Sequence, residues 1–104
     1  MSEPRQGDVW WAEAEDKRRP VLIVTRDDAI PVLHRLVIAP VTRTVRNIPT
    51  EIALGEDEGL PVPCAASFDN LQPINRRLLT RRAGALGVAR RHELCRTLDA
   101  LVDC

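Results

Sequence analysis

The apolar residues of this chain occur mostly in short runs, separated by charged or proline-containing segments. Five runs have the length of β-strands, and most are rich in β-branched residues or alternate between apolar and polar positions. They are GDVWWAEAE (7–15), PVLIVT (20–25), HRLVIAPVT (34–42), PTEIALG (49–55) and CAASFDNLQPI (64–74). Pro40 lies inside the third run and predicts an edge position or a β-bulge there. The stretch RRLLTRRAGAL (76–86) predicts a helical turn followed by a short strand.

Only the end of the chain has the period of a helix. From about Val88 the apolar positions recur every three or four residues, and most charged residues lie off that stripe. The stripe comprises Val88, Leu94, Cys95, Leu98, Leu101 and Val102. This pattern predicts a C-terminal amphipathic helix of about four turns. Residues 14–19 and the acidic sequence EDEG (56–59) are expected to form exposed loops.

These elements fit a single domain over residues 1–104. Many short strands with one terminal helix predict a mainly β fold with some α structure, in the form of a curled sheet or partly open barrel. The chain has 104 residues and a formal net charge of zero, so no global basic field indicates a nucleic-acid partner.

The charges are nevertheless unevenly distributed. Residues 51–72 contain five acidic residues and no basic one, whereas residues 73–104 contain seven arginines and three acids. Fourteen of the fifteen basic residues are arginine, the side chain best suited to bidentate recognition of phosphate. A coding bias toward arginine is an alternative explanation.

The cysteines and the amino terminus indicate the compartment. Cys64, Cys95 and Cys104 match no metal-binding spacing. Cys64 and Cys95 are expected in the core and Cys104 at the surface. The chain has neither a signal-peptide pattern nor an apolar stretch of membrane-spanning length. We therefore expect a cytoplasmic protein with reduced thiols and no membrane association.

The order of the motifs is specific. GDVWW, RRPVLIVTRD, VIAPVTRT, PTEIAL and CAASFDNLQPI, followed by a terminal helix, together resemble the MazF/PemK family of toxin endoribonucleases. The resemblance covers the chain from about residue 7 to residue 102. It implies an SH3-like, partly open barrel of the MazF/PemK/CcdB type, assembled as a homodimer and inhibited by a MazE-like cognate antitoxin.

The resemblance also implies an activity. Members of the family cleave single-stranded RNA selectively by sequence, without a metal or cofactor; the RNA here would be mRNA, tRNA or rRNA. A metal-free ribonuclease can use the substrate's own 2′-OH as nucleophile, which yields a 2′,3′-cyclic phosphate and a 5′-OH. Two alternatives remain open: a non-enzymatic toxin of the same fold that binds a protein such as DNA gyrase, and a dimerisation module without a site.

Arg19 and Thr42 are the candidate catalytic residues. Arg19 lies where a polar segment meets the apolar run that begins at Pro20, and a guanidinium offers a forked pair of donors to a phosphate. Thr42 ends the third run, where its hydroxyl can donate to a non-bridging phosphate oxygen. The resemblance implies that the two side chains meet across neighbouring strands. Thr44 is the nearest rival of Thr42.

The sequence SFDNLQ supplies further candidates for RNA binding or support of the site. Asp69 is a candidate acceptor for the 2′-OH proton or a partner of Arg19, while Asn70 and Gln72 are candidates for reading base edges. An Asx-turn or a bulge explains the same residues equally well. Some relatives carry a basic active-site residue two positions before the aspartate, but here that position is Ser67.

The two adjacent tryptophans cannot enter the same core, because neighbouring strand residues point to opposite faces. One is expected inside. The other either stacks on a base or, as we favour, lies in a dimer or antitoxin interface. We take Trp10 as the candidate for the RNA site, and Arg43 as a candidate phosphate ligand. The segment before Arg19 is short and lacks glycine, which argues against a mobile lid.

Overall fold

The computed structural model describes residues 3–14 and 16–103. The described chain forms seven β-strands and one α-helix, joined in several places by short 3₁₀ turns. The strands are β1 (Asp8–Ala14), β2 (Lys17–Ile23), β3 (Arg35–Thr42), β4 (Glu51–Leu54), β5 (Cys64–Ser67), β6 (Gln72–Asn75) and β7 (Leu79–Ala85), and the helix is α1 (His92–Leu101). The predicted mainly β fold with a C-terminal helix is confirmed.

All strand pairings are antiparallel, and the strand order is β4-β5-β3-β2-β1-β7, with β6 paired to β3. The strand β3 lies at the centre. On one edge it pairs with β2, and on the other it pairs first with β6, through residues 35–38, and then with β5, through residues 41–42. This change of partner curls the sheet into a half-barrel.

Alternate side chains of the central strands pack into two separate hydrophobic cores. Val9, Leu22 and Ala39 belong to a helix-side core that also contains Leu94 of α1 and the fully buried Phe68. Their neighbours along the strands form a second core, which consists of Trp10, Ala12, Val21, Ile23, Ile30, Leu36, Ile38 and Leu79. The apolar run of β2 is therefore buried on both faces, which explains why it has no polar alternation.

Several predicted boundaries were wrong. Most of the segment 14–19 is strand rather than loop, because β1 ends at Ala14 and β2 begins at Lys17; Asp16 has a φ of 63°, and residue 15 lies outside the described residues. Pro20 consequently lies inside β2 rather than at its start. Pro40 lies in the central strand rather than at a sheet edge, at the point where β3 changes partner. The run 64–74 is two strands joined by a 3₁₀ corner at Phe68–Asn70.

The helix is shorter than predicted, and part of its apolar stripe is exposed. Residues Val88–Arg90 form a 3₁₀ turn, and Val88 and Val102 are 89% and 67% exposed. Cys95 is exposed as well, which corrects its expected core position, and Cys104 lies outside the described residues. Leu94, Leu98 and Leu101 do pack on the helix-side core. No helix among residues 3–14 and 16–103 has the length and apolar character needed to span a membrane.

An arginine clamp fixes the start of α1 to the sheet. Arg90 donates from Nε and Nη2 to both carboxylate oxygens of Glu93, from Nη1 to Glu58, and from Nη2 to the carbonyl of Ala53. Glu58 is 5% exposed and also accepts a bond from the Gly55 amide. The acidic turn at 56–59 is therefore only partly solvated, because Glu58 is a buried partner of Arg90.

Replacement of Gly59 by alanine should destabilise the fold strongly. Gly59 has a φ of +86°, and a Cβ there would lie 2.0 Å from the carbonyl oxygen of Ala83 in β7. We expect Gly59→Ala to lower the free energy of unfolding by about 3 kcal/mol or more in urea titrations. Gly87→Ala is the control, since a Cβ at Gly87 would meet no atom within 4 Å. Equal losses in the two variants would contradict this account.

The arginine clamp should make stability depend on pH in the acidic range. The hydrogen bonds from Arg90 lower the pKa of Glu93, although partial burial opposes them. Because the pKa of Glu93 is lower in the folded protein than the value of about 4.3 in the unfolded chain, the ionised carboxylate stabilises the fold at any pH above about 4.3. This stabilisation is lost as the pH falls through the folded-state pKa. Glu93→Gln should therefore cost about 1 kcal/mol at pH 7. The difference from wild type should vanish in strong acid, measured by denaturation at each pH; a constant difference would contradict it.

Candidate functional site: a cleft between two diverging strands

The cleft begins where β2 and β3 stop pairing. Their last paired residues are Val21 and Pro40, and the register has Leu22 opposite Ala39 and Ile23 opposite Ile38. Neither Pro20 nor Pro40 has a backbone N–H, so neither can donate a hydrogen bond to extend the ladder. Beyond this point β2 pairs only with β1, and β3 pairs only with β5. The two strand ends therefore form the arms of an open V.

Arg19 and Thr42 lie on the two arms of this V. If the register were continued by two residues past the pair Val21 and Pro40, Arg19 of β2 would lie opposite Thr42 of β3. Both residues line one cleft of about 650 Å³. The structure therefore brings the two predicted catalytic residues to the same cavity within one chain, on neighbouring strands.

The cleft has a cationic and polar lining on one part and an apolar wall on another. Arg18, Arg19 and Arg43 all line it, and no carboxylate or histidine does so among the described residues. Leu60, Pro61 and Val62, from the segment before β5, form the apolar wall. The remaining lining residues are Trp11, Pro20, Pro40, Val41, Thr42, Cys64, Ser67, Asn70 and Gln72.

The guanidinium of Arg19 is free to bind an anion. Arg19 is exposed, and its side chain makes neither a hydrogen bond nor an ion pair with any of the described residues. Other arginines are already paired with carboxylates of the protein: Arg90 pairs with Glu58 and Glu93, and Arg82 pairs with Asp8. An unpaired guanidinium at the mouth of a cleft without carboxylates is a strong phosphate ligand.

The hydroxyl of Thr42 is held in place by its own loop. Its Oγ1 accepts a hydrogen bond of 3.1 Å from the backbone amide of Thr44, and the residue is half-buried. Because the oxygen already accepts one bond, the O–H remains available as a donor to a ligand in the cleft. Thr44 itself is exposed and its side chain is not part of the lining, so its contribution is the backbone amide that orients Thr42.

The 3₁₀ corner at Phe68–Asn70 separates the three candidate residues of the sequence SFDNLQ, which are Asp69, Asn70 and Gln72. Asn70 and Gln72 line the cleft, and the Asn70 side-chain amide donates to Ser67 Oγ at 2.9 Å. Asp69 points away from it and accepts a bond of 2.6 Å from Thr50 Oγ1. The structure thus gives Asp69 a role in joining the 3₁₀ corner to Thr50, the residue before β4, instead of the expected contact with Arg19 or a 2′-OH.

The two tryptophans point to opposite faces of β1, as adjacent strand residues do, but the one that lines the cleft is Trp11 and not Trp10, the predicted candidate. Trp10 is 7% exposed, belongs to the second core and donates from Nε1 to the buried Asp8. Trp11 is the half-buried ring that lines the cleft. The register of β1 against β2 distinguishes them: Trp10 lies opposite the buried Val21, whereas Trp11 lies opposite Pro20 beside the arginines.

Cys64 is a buried thiol that lines the cleft. Burial raises its pKa, the nearby Glu58 adds to the rise, and Arg43 opposes it. Its Sγ donates weakly to the carbonyl of Leu54 at 3.8 Å. A thiol with a raised pKa is a poor nucleophile at neutral pH. Among the described residues, no group of three or more histidine, cysteine or acidic side chains is placed to hold a metal ion.

Similar proteins point to one family. Residues 5–102 match the family described as PemK-like, MazF-like toxin of type II toxin-antitoxin system. Probable endoribonuclease MazF5 of Mycobacterium tuberculosis is 39% identical over 104 residues, which cover 97% of this chain and 94% of that protein. Endoribonuclease MazF3 of the same organism is 38% identical over 88 residues, 85% of each chain.

The fold agrees with this match. Mycobacterium tuberculosis toxin MazF-mt6 superimposes with a TM-score of 0.85 at 35% identity, over 92% of this chain and 96% of that structure. A MazE-MazF structure from Deinococcus radiodurans shares the fold with a TM-score of 0.80 at 19% identity, over 99% of this chain and 98% of the other. The chain therefore belongs to the PemK-like, MazF-like toxins of type II toxin–antitoxin systems.

Proposed function

We propose that this toxin is an endoribonuclease that cleaves single-stranded RNA in the cleft between β2 and β3. The observation that carries the proposal is the position of Arg19 and Thr42 on the two arms of one cleft, with Arg43 beside them. The names of the similar mycobacterial proteins support the same activity. A toxin that only bound a protein target would not need these two side chains in a common pocket.

The cleft can lower the energy of phosphoryl transfer by placing donors where negative charge develops. The 2′-oxygen of a bound nucleotide attacks the adjacent phosphorus, and the bond from phosphorus to the 5′-oxygen breaks. The products are a 2′,3′-cyclic phosphate and a 5′-OH; the proton lost by the 2′-OH and the proton gained by the 5′-oxygen exchange with solvent. Arg19 and the hydroxyl of Thr42 bind the non-bridging oxygens, whose charge increases in the transition state.

The rest of the lining would hold a splayed single strand. Asn70 and Gln72 present amides that can bond to base edges, and Arg43 can bind a flanking phosphate. Residues 60–62 offer an apolar surface to a sugar or a base. Selectivity by sequence follows from these contacts, and the natural substrate would be mRNA, tRNA or rRNA.

Membership of a type II toxin family also implies partners. A cognate MazE-like antitoxin would inhibit the toxin, and an acidic segment of it is suited to occupy the same arginines as RNA. A homodimer would place two such clefts in one assembly. The protein would act in the cytoplasm, where its RNA substrates are found, and its activity would inhibit growth.

Loss of Arg19 should nearly abolish cleavage. Arg19→Ala removes one charge-stabilising donor, and we expect a loss of roughly 30- to 1,000-fold in kcat/KM, or about 2–4 kcal/mol of transition-state stabilisation. The assay uses long single-stranded RNA with excess chelator, followed by mapping of the RNA ends. Arg26→Ala is the control, since Arg26 is exposed and pairs with Asp28 outside the cleft. An unchanged rate in Arg19→Ala would refute the assignment, and intact RNA with the wild-type protein would refute the function.

Loss of the Thr42 hydroxyl should slow the same reaction; valine keeps the β-branched shape of the side chain but also loses the hydrogen bond from the Thr44 amide. Thr42→Val removes one donor to a charged oxygen, a change that costs roughly 10- to 100-fold in kcat/KM. Thr44→Val is the matched control, because it retains the backbone amide that orients residue 42. If Thr44→Val loses as much activity as Thr42→Val in initial-rate measurements, the hydroxyl assignment is wrong.

A further inference from the structure

Trp11 has a position that the proposed chemistry does not use. Its neighbour Trp10 is enclosed in the second core, whereas Trp11 packs against the helix-side core with part of its ring and lines the cleft with the rest. Part of the Trp11 ring therefore faces the cleft, where a ligand can contact it. The open question is which chemical group covers it.

The neighbouring side chain on β2 gives the first indication. Trp11 is opposite Pro20, so Arg18, two residues earlier on β2, points to the same face of the hairpin. The guanidinium carbon of Arg18 lies 5.0 Å from the centroid of the Trp11 ring, within the range of a cation–π contact. The structure thus places a flat cation over a flat ring beside Arg19.

Among the described residues, no carboxylate forms an ion pair with the Arg18 guanidinium. Arg18 is exposed, and within the described part of the chain its side chain makes no hydrogen bond; its guanidinium lies over the ring of Trp11. One side of the guanidinium therefore lies towards the indole, and because Arg18 is exposed the rest of the group is accessible to a ligand. Guanidinium planes and aromatic rings are both surfaces on which unpaired nucleobases stack.

From this arrangement we infer that Trp11 and Arg18 form a stacking platform for one nucleobase next to the scissile phosphate. The base lies on the side of Arg18 away from the indole, in a layered stack of indole, guanidinium and base, while Arg19 and Thr42 hold the adjacent phosphate. The platform rests on the proposed endoribonuclease function and specifies one of its substrate contacts. A stack of this kind accepts any base and anchors the strand, leaving selection by hydrogen bonds to Asn70 and Gln72.

The test is a double-mutant cycle between the protein and the RNA. The cleavage site is first mapped with wild-type protein. A short RNA is then made uncleavable by a 2′-deoxy nucleotide at that site, and single abasic nucleotides are placed at each flanking position in turn. Dissociation constants are measured for wild type, Trp11→Leu and Arg18→Met with each RNA.

With the complete RNA, both variants should bind about tenfold more weakly than wild type. At one flanking position the abasic RNA should bind all three proteins about equally, because the base that the platform holds is already missing. A purely structural role of Trp11 would weaken binding by the same factor at every position. Arg81→Met is the control, since Arg81 is the cross-strand neighbour of Trp11 on β7 but does not line the cleft.

Because Trp11 also contributes to the core, its variant is checked by thermal unfolding, and Arg18→Met, at an exposed position, carries the test if Trp11→Leu fails to fold. A wild-type protein that leaves RNA intact would overturn the endoribonuclease proposal and the platform with it. A wild-type protein that cleaves RNA, with no position at which an abasic nucleotide removes the effect of Arg18→Met, would overturn the platform alone.

Discussion

The site depends on the place where one ladder of backbone hydrogen bonds ends. β2 and β3 pair as far as Val21 and Pro40, and two prolines near that point remove donors that could extend the ladder. The strand ends separate, β2 staying with β1 and β3 staying with β5. A continuous sheet would have set Arg19 against Thr42 as an ordinary cross-strand pair with no space between them. The divergence converts that register position into a cleft while both side chains remain on rigid strands.

The strands can diverge because the rest of the fold holds them from other directions. The apolar part of β2 that follows Arg19 is buried on both faces, so the arm that carries Arg19 is anchored in two cores. The arm that carries Thr42 is supported by β5, whose own position depends on Phe68 and on the helix packed against it. The Arg90 clamp fixes the start of that helix to Glu58 and to β4. The open cleft is thus supported by structure on the opposite side of the sheet.

Properties set by local pattern were predictable from the sequence, and those set by tertiary packing were not. The apolar runs located most of the strands, and the ordered motifs placed Arg19 and Thr42 on neighbouring strands. No local signal showed that the chain turns a corner at residues 68–70, which carries Asp69 away from the cleft and leaves Asn70 in it. The choice between Trp10 and Trp11 likewise depended on the phase of the opposite strand. The helical period was read as starting at Val88, but the helix begins at His92, and Val88 lies in the preceding 3₁₀ turn with its side chain exposed.

The net charge of zero is misleading because charges act where they are exposed rather than as a sum. The buried acids Glu58 and Asp8 form ion pairs with Arg90 and Arg82, so these opposite charges neutralise each other within the fold. The arginines of the cleft face no carboxylate among the described lining residues. A polyanion that enters the cleft therefore meets three arginines with no carboxylate beside them among the described lining residues. Such a local concentration of positive charge suits a site that binds one phosphodiester of a long strand.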